Sequence, residues 1–222
     1  SLNTSDLVTI EINKEDTASD WGTPDQVFNL ADGDVSIEKS GVYELTGSTE
    51  NGIVSVNVDK YADEGSVVLI LNNVAITSVD SAPINVIEAQ KVILYLPEGT
   101  SSSLTQAETA TVNAEDEPDA ALFSNADLTI SGSGALTVNG NYKDGIKGKD
   151  SLLITGGILA VNAVSDGITG KDELLLENAE ITVQAGKDGV NSTNSTDVEY
   201  GNILIASGVL TVTAANDGIQ AE

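Results

Sequence analysis

Apolar residues in the second half of the chain recur in pairs split by one residue, and the pairs return at a fixed interval. Leu128, Leu152, Leu174 and Ile203 fall in one column, and Ile130, Ile154, Leu176 and Ile205 fall in the next. Leu136, Leu159, Ile181 and Leu210 form a third column, followed by Val138, Val161, Val183 and Val212, and then by Ile146, Ile168, Val190 and Ile219. One variable residue separates the members of each pair, the period of two expected of strands with one buried face. A helix would need apolar positions three and four apart over roughly ten residues or more, and the glycines at 156 and 157 interrupt any such run.

The repeat is punctuated by Asp-Gly-apolar. The marker stands at Asp144-Gly145-Ile146, Asp166-Gly167-Ile168, Asp188-Gly189-Val190 and Asp217-Gly218-Ile219, at intervals of 22, 22 and 29 residues. The longer interval contains the polar stretch from Ser192 to Tyr200, which reads as a loop inserted at one corner of a regular turn. Three short strands per 22-residue turn, stacked in parallel, predict an all-β chain folded as a right-handed parallel β-helix with aliphatic ladders inside. Leucine-rich repeats have a similar length but call for a consensus Asn and a helical segment that are not found here.

One domain spans 1–222, with an N-terminal cap and first strands over 1–40, irregular turns over 41–124 and regular turns over 125–222. Leu69, Leu71, Val74 and Ile76 resemble the two main strands, Asp80 begins the corner before Ile84, and Lys91 to Leu96 starts another turn. The Ser/Thr- and Glu-rich stretch from Gly99 to Asp119 is expected to be a long solvated loop. The opening segment, with Trp21 and Phe28, is expected to cap the first turn, since bare solenoid ends invite association. No comparable cap follows Asp217, so that end is expected to continue or to dock on a partner.

Charge narrows the partners. Nine basic residues, all Lys, against 35 acids leave a net charge of −26, which repels nucleic acid and anionic membranes and favours cations. Neither His nor Cys is present, which removes the usual proton shuttle, the usual zinc ligands and every nucleophile that relies on a His base. No stretch of about 18 apolar residues offers a membrane span.

Equivalent residues of a solenoid sit about 4.8 Å apart, so the marker aspartates Asp144, Asp166, Asp188 and Asp217 stack as a carboxylate ladder. Two like charges at that spacing repel by roughly 3 kcal/mol at an effective dielectric near 20. Calcium, with oxygen ligands at about 2.3–2.6 Å, spans such a gap, whereas magnesium is too small. Asp150 and Asp172, in the Gly-Lys-Asp triplets, form a shorter second ladder expected to share or flank the ions. The competing reading is plain turn chemistry, in which Asp bonds its own backbone and Gly supplies a positive φ. Five of the nine lysines, Lys143, Lys147, Lys149, Lys171 and Lys187, cluster in this region together with Tyr142. They are read as a basic stripe for an acidic ligand, or else as partners of the neighbouring aspartates.

The tandem Asp-Gly-Ile turns, the Gly-Lys-Asp-x-Leu turns and the Ile-Thr-Gly-Gly at 154–157 resemble the bacterial carbohydrate-binding β-helix family, typified by a clostridial cell-surface protein that binds cellulose and polygalacturonic acid. The likeness is best from about Asn125 to Glu222. It implies a pectate-lyase-like architecture, bound calcium and an extracellular or cell-surface setting, often through a lipoprotein anchor. The leading expectation is noncatalytic recognition of acidic plant polysaccharide such as polygalacturonate or pectin, with cellulose as a second ligand. A low aromatic content of 4% argues against a broad stacking platform. The rivals are a polysaccharide lyase using Lys147 or Lys171 as base in place of the missing Arg, and a structural or adhesive solenoid.

Overall fold

The computed structural model describes residues 10–111, 115, 117–196 and 200–221. Expectations for the start of the cap (1–9), for the middle of the inserted loop (197–199) and for Glu222 lie outside the described residues. The chain winds into an all-β parallel solenoid of about seven turns. Each regular turn contributes three strands, so the solenoid has three flanks. The first carries Lys91–Leu96, Asp127–Gly132, Ser151–Ile154, Glu173–Leu176 and Asn202–Ile205. The second carries Ser101–Gln106, Ala135–Gly140, Ile158–Ala163, Ala179–Ala185 and Gly208–Ala214. The third is an eight-stranded sheet from Val35–Ile37 through Asp144–Gly148 to Ile219–Gln220. In an earlier turn the first two flanks are one continuous strand, Ser66–Ser78, bent where Asn73 takes a φ of 53°.

The five aliphatic columns hold their register. Leu128 pairs with Leu152, Leu174 and Ile203 in succession, Leu136 with Leu159, Ile181 and Leu210, and Ile146 with Ile168, Val190 and Ile219. These side chains meet in one core that runs the length of the molecule from Leu30 to Val190.

Three features differ from the sequence reading. The residue between paired columns is not variable on the first flank, where Leu153 and Leu175 are also buried, because residues 10–25 run down the outside and seat Ile10 against them. A strand covered on both faces is apolar throughout, which explains the unbroken triplets at 152–154 and 174–176. The opening segment is accordingly more strap than lid: Trp21 packs edge-on against Tyr95 of this flank at 6.3 Å, while Leu30, Val35 and Ile37 fill the first rung. Thirdly, the Ser-rich stretch after Gly99 is no loop but the strand Ser101–Gln106. Ser102 occupies an inward position because its hydroxyl accepts the Val74 N–H at 3.1 Å and donates to the Leu71 carbonyl at 3.4 Å. The excursion therefore begins only at Ala107.

Candidate functional site

The marker aspartates do align one rung apart at the corner between the second and third flanks. Each carboxylate holds the next rung: Oδ1 of Asp144 accepts the N–H of Asp166 at 3.1 Å, Asp166 that of Asp188 at 3.0 Å, and Asp188 that of Asp217 at 2.9 Å. Repulsion along the ladder is thus offset by backbone dipoles, and Asn216 adds an amide to Asp188 at 2.7 Å. The glycines serve close approach and not positive φ. A Cβ on Gly145, Gly167 or Gly189 would lie 2.2–2.4 Å from the inward Val and 2.5–2.6 Å from the next glycine's carbonyl oxygen.

Three of the clustered lysines tie down the excursion over residues 107–119. Lys147 donates to Asp119 at 2.8 Å and lies 3.7 Å from Asp144, Lys143 reaches Asp119 at 4.0 Å, and Lys149 meets Glu117 at 2.6 Å. Burial alone would lower the Lys147 pKa, but the hydrogen bond and charge of Asp119, with Asp144 and Glu117, outweigh it and hold the ammonium above its ordinary range. Lys171 and Lys187 are exposed, and Tyr142 lies beside Lys143, whose ammonium is 5.9 Å from its ring.

The second ladder opens onto a different place. Asp150 lines a polar cleft of about 380 Å³ with Asp127, Lys60, Tyr61, Glu64 and Gln90. Asp172 stands one rung on, holding the side-chain amide of Asn194 at 2.7 Å. Burial, then the charge of Asp150, raises the Asp127 carboxyl; burial, then the charge of Asp172, raises Asp150. Lys60 lies close enough to Asp150 to oppose that rise but does not cancel it, and Tyr61 leaves 85% of its surface exposed at the rim. Sequence reasoning found Asp150 and Asp172 but missed Asp127, Lys60, Tyr61 and Gln90, none of which belongs to the repeating marker. Register would have found Asp127, because it immediately precedes the Leu128 column.

These shifts carry a pH signature. Asp127, Asp144 and Asp150 bind protons more tightly in the folded chain than in the unfolded one, so their contribution to stability falls as pH rises through their raised folded range and returns as pH drops. Exposed Asp63, lowered by the Ser40 N–H, acts in the opposite sense. In metal-free buffer, calorimetry is expected to show Tm rising as pH falls from neutral toward the ordinary carboxylate range, with a smaller rise in Asp150→Asn. A Tm that falls steadily over that interval contradicts the burial of these carboxylates.

Residues 31–222 match the model of the carbohydrate-binding domain-containing protein family, and the chain belongs to that family. A carbohydrate-binding domain-containing protein of Acetivibrio thermocellus is 37% identical over 138 residues, which cover 61% of this chain and 47% of the relative. The chain thus spans about half the length of the curated relative it matches. Among solved structures, the polysaccharide lyase-like protein from C. thermocellum, determined as a gadolinium derivative, superposes with a TM-score of 0.79 at 27% identity, over 88% of this chain and 93% of that one.

Proposed function

We propose that the chain is a noncatalytic binding module for acidic polysaccharide, a polygalacturonate or pectin, and that a calcium ion in the cleft lined by Asp127 and Asp150 joins protein to uronate carboxylates. The observation that carries the reading is the cleft itself, where Asp127 and Asp150 face one polar space and burial, then the charge of a neighbouring carboxylate, raises both. A hard divalent ion with oxygen ligands supplies the opposing positive charge, and Lys60 offers a second contact for an anionic sugar. Among the described residues no group of three or more acids is placed to hold a metal ion by itself. An ion in this cleft would be held by two protein carboxylates and completed by the oxygens of the uronate ligand.

In the marker column one oxygen of each of Asp144, Asp166 and Asp188 accepts a backbone N–H, as Asp127 accepts that of Ser151 at 3.3 Å, but the marker column already has the Lys147 ammonium 3.7 Å from Asp144. Lys147 is poorly suited to act as a lyase base, because its ion pairs keep it protonated. An extracellular or cell-surface setting, where calcium is plentiful, belongs to the same proposal. The test is retention on immobilised polygalacturonate. Millimolar calcium should retain the protein, chelator should release it, and Asp127→Asn or Asp150→Asn should weaken retention about tenfold. Retention that ignores chelator and both substitutions contradicts the reading, and unsaturated products released from the polymer would convert the module into an enzyme.

A further inference from the structure

The chain holds five Asp-Gly dipeptides, at Asp32, Asp144, Asp166, Asp188 and Asp217, and two Asn-Gly dipeptides, at Asn51 and Asn139. A glycine has no Cβ to shield its nitrogen, so that nitrogen can reach the carboxyl or amide carbon of the preceding side chain and close a five-membered imide. Closure requires the glycine N–H to leave any acceptor it holds, and the side chain to turn back onto its own backbone. The fold therefore decides which of these dipeptides reacts.

On the stacked rungs both movements are blocked. The Gly145 N–H donates to the Asp166 carbonyl at 3.0 Å, that of Gly167 to the Asp188 carbonyl at 2.9 Å and that of Gly189 to the Asp217 carbonyl at 2.8 Å. The carboxylates that precede these glycines are held as well, each by the N–H of the next marker aspartate. Those bonds cover the three markers with a described rung beyond them; Asp217-Gly218 stands on the last described one. The Asn-Gly pairs are fastened in the same way. Asn51 donates to Asp80 at 2.8 Å and accepts the Val79 N–H at 3.0 Å, while the Gly52 N–H donates to the Thr77 carbonyl at 2.9 Å. Asn139 donates to the Thr105 hydroxyl at 3.1 Å and accepts from Asn162 at 3.0 Å, and Gly140 closes the strand Ala135–Gly140.

Asp32-Gly33 differs on every count. Asp32 ends the short 3-10 turn Leu30–Asp32, and Gly33 follows with a φ of 125°. Both residues are exposed, and a Cβ on Gly33 would meet nothing within 4 Å. Among the described residues no hydrogen bond ties the Gly33 N–H to a neighbouring rung or the Asp32 carboxylate to a donor.

We propose that Asp32-Gly33 is a site of spontaneous covalent modification, which converts to isoaspartate while the stacked marker dipeptides stay intact. The Gly33 nitrogen attacks Cγ of Asp32 and forms the new N–C bond; the proton of the nitrogen and the carboxyl OH leave together as water. Water then returns to one of the two imide carbonyls. Addition at the former side-chain carbonyl restores Asp32, whereas addition at the backbone carbonyl breaks the original peptide bond and leaves the chain running through the side chain. No oxidant, reductant or cofactor enters, and the atomic composition is unchanged. The isomer places one extra methylene in the backbone between Leu30 and Val35, both buried in the first rung, and just before Asp34, whose Oδ1 accepts the Ile53 N–H at 2.9 Å. Conversion at Asp32 therefore loosens the first rung.

Peptide mapping of the whole chain tests the assignment, after incubation below its melting temperature and, in a second portion, in unfolding urea. Trypsin places Asp32 on the peptide 15–39, Asp166 on 150–171 and Asp188 on 188–222, and electron-transfer fragmentation tells a β-linked residue from an α-linked one. In the native portion isoaspartate at 32 should accumulate at least about tenfold faster than at 166 or 188, because closure there first breaks two hydrogen bonds. In urea the three sites, identical as dipeptides, should convert at similar rates. Asp32→Glu, whose longer side chain cannot form the five-membered ring, should leave 15–39 unmodified in both portions. Native conversion at 32 no faster than at 166 and 188, or isoaspartate at 32 that forms only in urea, overturns the proposal.

Discussion

Asp16→Ala is expected to lower stability by about 3–5 kcal/mol and to release the N-terminal strap. Asp16 is fully buried, pairs with Lys91, accepts the Thr129 hydroxyl and receives the Asn13 N–H at 2.8 Å. Its own carbonyl takes the Thr155 hydroxyl from the next rung. Removing the carboxylate leaves the Lys91 ammonium, 14% exposed, without its ion-pair partner and with only the more distant charge of Asp127 on the neighbouring strand. Replacing both partners, Asp16→Leu with Lys91→Met, should recover most of the loss, since the penalty comes from the orphaned charge. Urea titration measures the difference, and limited proteolysis of residues 10–25 reads the release. A change below about 0.5 kcal/mol in the single variant contradicts the latch.

The glycine column gives the second large effect, and its internal control sharpens it. Gly167→Ala should cost about 1–3 kcal/mol, because the new methyl meets Val183 at 2.3 Å and the Gly189 carbonyl at 2.5 Å, backbone that the next rung holds in place. Gly218→Ala, the same marker on the last described rung, meets nothing within 4 Å and should be neutral or mildly stabilising through the unfolded chain. Thermal melts of the two variants decide the matter. Equal destabilisation would mean that the glycines serve backbone conformation instead of the tight stacking of rungs.

The contrast between these glycines shows what periodicity reveals and what it hides. The columns through Leu128, Leu136 and Ile146 were legible because burial inside a solenoid imposes the same residue type at every rung. What lies outside the solenoid repeats nothing. The strap that buries Leu153 and Leu175 and the excursion anchored by Lys147 and Lys149 are single events in the sequence. Even so, the apolar triplet at 174–176 and the isolated Lys91 held hints of the first, for a central Leu needs cover and a lysine in an acidic half needs a partner. Ser102 misled because a run of serines resembles a loop until the core supplies hydrogen bonds to its one inward hydroxyl. At the candidate site the vertical alignment of Asp144, Asp166 and Asp188 was readable from spacing, but the destination of each carboxylate oxygen was not. Spacing places a residue in a column without stating whether the neighbouring backbone N–H competes for it.

The account turns on where a divalent cation is held, and calorimetric titration of calcium into the metal-free chain addresses that directly. Asp127→Asn and Asp150→Asn should each reduce affinity by about tenfold or more, and Asp188→Asn should lower the melting temperature while leaving the affinity within about twofold of the wild type. Loss of affinity in Asp188→Asn with full affinity in Asp127→Asn and Asp150→Asn would move the ion to the marker column and contradict the assignment of the cleft.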